Sequence, residues 1–127
     1  MKEILYRGKC KNKKFGWVYG CPVFNENNSE YELRPEASTA FNIEQETIGQ
    51  YIGLKDKNGT KIFEGDIVLV SQIAPAKVFY NEENACYAFD YGKDGRPLAI
   101  DLTTDTSLEI IGNIYDNPNL IKGEANN

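Results

Sequence analysis

A mainly β domain, either a small barrel or a sandwich, is what this sequence of 127 residues predicts. Three observations carry the prediction. Short apolar runs recur about every ten residues, with turn residues between them. Eight Tyr and six Phe supply side chains that suit strands. No window holds three turns of helical periodicity; Glu36 to Ile48 comes nearest, and Thr39 and Phe41 work against it. The length fits one domain with one core.

The elements follow in order. Trp17 to Phe24 reads as a strand, with Pro22 confining part of it to an edge or bulge. Asn25 to Ser29 is a polar loop. Tyr31-Glu32-Leu33-Arg34 alternates apolar and polar until Pro35 stops it, and Phe41 and Ile43 alternate again. Asn58-Gly59 is the best hairpin signal, and Ile62-Phe63 resumes a strand after it. Glu64-Gly65-Asp66 forms a tight turn into the β-branched run Ile67 to Val70, which ends in a turn-rich patch around Pro75. Lys77 to Tyr80 and Ala85 to Phe89 flank the loop Asn81 to Asn84, and Lys93 to Pro97 marks another turn. The last strand runs Leu108 to Tyr115. Asn117 then caps a one-turn helix begun by Pro118, whose Leu120 and Ile121 close one end of the core. The expected core is Trp17, Val18, Val23, Leu54, Ile62, Phe63, Ile67, Leu69, Val78, Phe89, Ile110, Ile114 and Leu120.

Composition narrows the chemistry. The chain has no histidine, which removes His-based triads, imidazole bases and His metal sites. No phosphate-binding G-x-x-x-x-G-K-[ST] occurs. A calcium loop begun at Asp56 has its glycine at the wrong position and Ile67 where a glutamate is required. Asp56, Glu64 and Asp66 therefore read as solvated turn acids; no catalytic residue, metal or cofactor is assigned. Cys10, Cys21 and Cys86 are odd in number and lack a C-x-x-C, so three reduced thiols are expected. No run of apolar residues is long enough to span a membrane, and the N-terminus lacks a signal-like apolar stretch, which points to the cytoplasm.

Charge is unevenly spread. Lys2, Arg7, Lys9, Lys11, Lys13, Lys14 and the single acid Glu3 give the first 14 residues +5, while the whole chain carries −5. An extended Arg7 to Lys13 would set Arg7, Lys9, Lys11 and Lys13 on one face at period two, with Trp17 and Tyr19 close behind. Basic side chains interleaved with aromatics suit a single-stranded nucleic-acid groove. The same residues also suit a lysine-guarded edge strand or a basic end that meets an acidic face of a neighbouring subunit, and the acidity of the chain favours these over nucleic acid. Arg7, Lys9, Lys11, Lys13, Lys14, Trp17 and Tyr19 are thus the candidate contact residues for a partner or nucleic acid.

Three segments taken together resemble the YopX family of phage and prophage proteins. They are Arg7-Gly8-Lys9 with Trp17-Val18-Tyr19-Gly20, the long block Thr47 to Val68, and Ile111-Gly112-Asn113-Ile114-Tyr115-Asp116-Asn117-Pro118-Asn119-Leu120. The likeness runs from about residue 4 to residue 121, with little of the pattern between Ala74 and Thr106 and with Ile52 in place of a more usual threonine. The resemblance implies a largely β structure with an SH3-like barrel, a bacterial cytoplasm and a phage or prophage origin. It implies no catalytic motif and carries over no functional residue. On this basis the fold expected is mainly β. An N-terminal β segment over 1–45 packs with an SH3-like small barrel over 46–121 that ends in a short C-terminal helical turn, and 122–127 form a flexible tail. The function expected is a non-enzymatic phage or prophage accessory protein, a self-associating binding or assembly module. The alternative is a nucleic-acid-binding accessory factor using the basic N-terminal segment, and a third reading is an acidic decoy for a basic host protein. The partners expected are copies of the chain, with a host or phage protein as a further one and no membrane.

Overall fold

A computed structural model describes residues 3–36, 39–71, 74–83, 85–90, 97–99 and 107–121. The chain is mainly β. Its strands are β1 (Tyr6–Lys9), β2 (Trp17–Asn25), β3 (Glu30–Glu36), β4 (Thr39–Asn42), β5 (Gly49–Lys55), β6 (Lys61–Phe63), β7 (Asp66–Val70), β8 (Ala74–Asn81), β9 (Cys86–Asp90), β10 (Pro97–Ala99) and β11 (Leu108–Asn113). Two 3-10 turns complete it, η1 (Gln45–Thr47) and η2 (Pro118–Leu120). Two compact units form, Met1–Tyr51 and Ile52–Asn127. The tail expected over 122–127 and the turn expected from Lys93 lie outside the described residues, apart from Pro97 at the head of β10.

In the first unit the antiparallel order is β4-β3-β2-β1-β5. The sheet curls until residues after β4 meet residues after β1. Cys10 bridges Ile43, Lys11 N–H donates to the Asn42 carbonyl at 2.9 Å, and Glu44 N–H donates to the Lys9 carbonyl at 2.9 Å. The curl encloses a small core of Cys10, Val18, Leu33 and Ile43, with Tyr6, Phe41 and Ile48 packed on it. Alternation decides which β2 residues face it. Val18 is inside, so Trp17 and Val23 fall on the other face. Val23 is exposed and Trp17 only half-buried, which corrects their placement in the expected core. Pro22 is tolerated because β1 reaches only to Gly20, leaving that side of β2 unpaired. Pro35 does not stop β3, because the register with β4 slips between Leu33 and Glu36 and opens a bulge where Pro35 sits.

β5 passes from the first unit into the second and there lies beside β6. The rest of the second unit is a five-stranded sheet in the order β10-β9-β8-β7-β11. Ile52 and Ile62 from the β5–β6 hairpin share one core with Val68, Ala76, Val78, Phe89 and Leu108 from this sheet. A hairpin packed on a sheet is the SH3-like arrangement expected, but among the described residues the strands do not pair into a closed barrel. The gap between β6 and β11 is tied by the hairpin turn. Lys57 N–H donates to the Leu108 carbonyl at 2.8 Å, and Asp56 Oδ2 accepts from Ile110 N–H at 3.1 Å.

Several local readings need correction. Pro75 lies within β8, opposite Leu69, where β9 does not reach and the sheet requires no N–H of it on that side. Asn81 pairs with Cys86 and so belongs to β8 instead of the loop expected from it, while Asn84 of that loop lies outside the described residues. The last strand stops at Asn113, whose side-chain carbonyl accepts from Tyr115 N–H and Asp116 N–H and turns the chain. Asn117 precedes the turn at Pro118 as expected, but its side chain accepts from Asn113 N–H at 3.2 Å instead of capping η2. Leu120 is 38% exposed and lies outside the core. Leu54, Leu69, Ile110 and Ile114 are half-buried, and Leu54 and Ile110 pack against the second core. The three cysteines are unpaired thiols, Cys10 buried and Cys21 exposed.

Gly59 closes the β5–β6 turn at φ +86°, with open space where a Cβ would stand. Only backbone strain opposes a larger side chain there, so Gly59→Val should cost on the order of 1–2 kcal/mol. Urea unfolding of the variant measures it.

Candidate functional site

Four of the seven candidate residues do meet on one face. Antiparallel pairing sets Arg7 opposite Tyr19 and Lys9 opposite Trp17 across β1 and β2. Arg7 is only 7% exposed and lies over the Trp17 ring, 4.7 Å from its centre. The guanidinium is therefore used inside the sheet surface, as a cation on an aromatic face. Tyr19 remains 46% exposed.

The period-two row does not continue. β1 ends at Lys9, and residues 11–15 turn. Asn12 makes this turn: its side-chain oxygen accepts from Lys14 N–H at 3.1 Å, and its carbonyl accepts from Phe15 N–H at 3.0 Å. Cys10 N–H donates across the base of the turn to the Gly16 carbonyl. Asn12 and Gly16 were the sequence signal against an extended row. Lys11, Lys13 and Lys14 are consequently exposed on a basic turn and not on a strand face. The Lys11 ammonium lies 3.2 Å from Glu30, and Lys14 lies 6.0 Å from the Phe15 ring centre.

The outer face of β2 and β3 continues into a polar cluster. Glu32 accepts from the Asn25 amide at 2.8 Å and from the Arg34 guanidinium at 3.1 Å. These two donors, Asn25 first, hold the Glu32 carboxyl below its ordinary value. A depressed carboxyl adds stability that is complete above the unfolded value of 4.5 and is lost as pH falls through the folded one. Urea midpoints should therefore fall less between neutral pH and pH 3 in Glu32→Gln than in the unaltered chain. Equal slopes would remove Glu32 from the acid response.

An open cleft of about 500 Å³ adjoins the basic turn, lined by Lys11, Ser29, Glu30, Tyr31, Glu44 and Glu46 among others. The turn also sits beside β4, because Lys11 N–H occupies the Asn42 carbonyl. That neighbourhood was not legible beforehand, since it depends on the curl of the sheet.

Two of the three acids read as solvated turn residues, Asp56 and Asp66, behave otherwise. Asp66 is 2% exposed, and its Oδ2 accepts from Phe63 N–H at 2.7 Å. Asp56 is also buried; its Oδ1 accepts from Asn58 N–H and Thr60 N–H, each at 2.9 Å, and its Oδ2 from Ile110. Both carboxylates face backbone donors, which satisfies buried groups that would otherwise be costly.

Among known proteins, a family model described as YopX protein matches residues 6–122. No curated protein matches the chain. The crystal structure of protein EF1440 from Enterococcus faecalis is similar, with a TM-score of 0.55 and 22% sequence identity, over 95% of this chain and 99% of that one. At that identity the likeness concerns the fold.

Proposed function

The chain belongs to the YopX family, and on that premise we propose that it is a non-enzymatic phage or prophage accessory protein, a self-associating binding or assembly module of the bacterial cytoplasm. The observation that carries the reading is the basic turn Lys11 to Lys14, exposed beside the edge strand β4 of a chain whose net charge is −5. Cations gathered at one place on an acidic molecule favour a heterologous or two-fold contact with another acidic surface, and a second copy offers one. Further support comes from the acids, since Asp56 and Asp66 are committed to backbone donors. Among the described residues no helix is long and apolar enough to cross a membrane. The placement of Arg7 beneath Trp17 weighs against a nucleic-acid groove, because neither the guanidinium nor that ring face is offered to a phosphate or a base.

Size-exclusion chromatography with light scattering at low and high salt tests the proposal. A mass above that of one chain at micromolar concentration in low salt, reduced by salt, is the expected result. One-chain mass throughout overturns it. Assembly indifferent to salt keeps self-association and removes its electrostatic cause. Tight, salt-sensitive binding of a single-stranded oligonucleotide by a one-chain species would favour the nucleic-acid alternative instead.

A further inference from the structure

We infer that copies of this chain associate through β4, paired antiparallel with the β4 of a second copy about a two-fold axis at Ala40; the inference rests on the self-association just proposed and names its surface. Sheet edges are the natural sites of strand addition, and native chains block the ones they do not use. Among the described residues the other edges are blocked or short. β11 has its outward Leu108 carbonyl and Ile110 N–H taken by the Asp56–Lys57 turn. The half of β2 beyond β1 carries Pro22. β6 and β10 have three residues each, headed by Lys61 and Pro97. β4, Thr39-Ala40-Phe41-Asn42, has neither lysine nor proline, and of its outward groups Lys11 takes the Asn42 carbonyl while those of Ala40 meet no described strand.

The direction of its backbone groups follows from two bonds. Ile43 N–H points inward, to the Tyr31 carbonyl of β3, while the Asn42 carbonyl points outward, to Lys11 N–H. Alternation along an antiparallel strand then turns the Ala40 N–H and carbonyl outward as well. An axis at Ala40 lets the two alanines exchange both hydrogen bonds, with a small side chain at the axis itself. Thr39 comes opposite Phe41 of the second copy, a β-branched and aromatic pair of the kind that stabilises sheets. Phe15, exposed and packed edge-on against Phe41 at 5.2 Å, adds apolar surface beside the seam.

Charge fits the same axis. The basic turn of Lys11, Lys13 and Lys14 lies at the Asn42 end of β4, and the exposed Glu36 lies at the Thr39 end, opposite it in register. Antiparallel pairing brings each copy's basic turn towards the other's Glu36, which favours this register and makes the contact sensitive to salt. So short a seam belongs with small, reversible interfaces, and the dimer should grow in with concentration.

The test compares the unaltered chain with Ala40→Pro, Ala40→Lys and Glu36→Lys by light scattering across a concentration series. Ala40→Pro removes an outward N–H that no described strand uses, and should return the mass to one chain where the unaltered protein is dimeric. Ala40→Lys apposes two like charges at the axis and should do the same; it decides the matter if Ala40→Pro loses its β circular dichroism. Glu36→Lys should weaken the dimer several-fold in low salt and little in high salt. If Ala40→Lys dimerises like the unaltered chain, the β4 seam is wrong while self-association stands. If the unaltered chain stays at one-chain mass throughout, self-association fails, and the seam fails with it.

Discussion

Asp56→Ala should destabilise the fold by roughly 3–5 kcal/mol, because three backbone N–H donors lose their acceptor in one substitution. Those donors belong to Asn58, Thr60 and Ile110, so the loss loosens the β5–β6 turn and also frees it from β11. Lys57 would still hold the gap by its backbone bond to Leu108 and by its ammonium, 3.4 Å from Glu109. Asp56→Asn should cost less, on the order of 1–3 kcal/mol, since the amide oxygen still serves one side and its NH2 faces a donor on the other. Urea midpoints rank the two variants, and amide exchange at Ile110 should accelerate in both. A loss below about 1 kcal/mol in Asp56→Ala would show that water replaces the carboxylate there. Acid adds a second reading. Burial works to raise the Asp56 carboxyl, but the three N–H donors and then Lys57 outweigh it, and the net direction is downward from 3.8. Its contribution is therefore complete above that value and lost as pH falls through the lower folded one, and Asp56→Ala should flatten the acid limb of the stability curve.

Gly20→Val is the other large effect expected, upwards of about 3 kcal/mol, a large share of the stability of an ordinary domain. A Cβ at Gly20 would stand 2.6 Å from the Arg34 carbonyl carbon and 2.8 Å from the Pro35 nitrogen, both backbone atoms that cannot rotate aside. The β2–β3 hairpin would have to separate where the β3 bulge brings its backbone closest. Gly20→Ala tests the same contact with the smallest intrusion, and a variant as stable as the parent would show that β3 yields freely. Circular dichroism and urea unfolding measure both substitutions. Gly59→Val makes the contrast, since it strains one turn without touching a neighbour.

Much of the strand and turn pattern was legible because its causes are local. Asn58-Gly59 forces a turn wherever it lies, Ile67 to Val70 is too apolar and β-branched for anything but a buried strand, and Pro118 starts a short helical turn. Arg7 and Lys9 share a face for the reason given beforehand, the two-residue period of β1, and the pairing of β1 with β2 adds Trp17 and Tyr19 to it. The lysines failed to follow because Asn12 bends the chain after β1.

By itself, then, the sequence determined the class of fold, the strand and turn order, the absence of imidazole chemistry and the gathering of positive charge near the N-terminus. Tertiary structure decided which residues those strands bury and which they join. Leu33, Ile43 and Cys10 became a core only because the first sheet curls Ile43 back onto Cys10. Arg7 went beneath Trp17 because the register of β1 on β2 placed them diagonally on one face. Asp56 became a tie between the β5–β6 turn and β11 because Ile110, 54 residues away, presents an N–H that no described strand takes. In each case the partner comes from another element. Local propensity fixes the conformation of a segment, whereas burial and hydrogen bonding depend on the alignment of segments, and no single stretch of sequence contains that alignment.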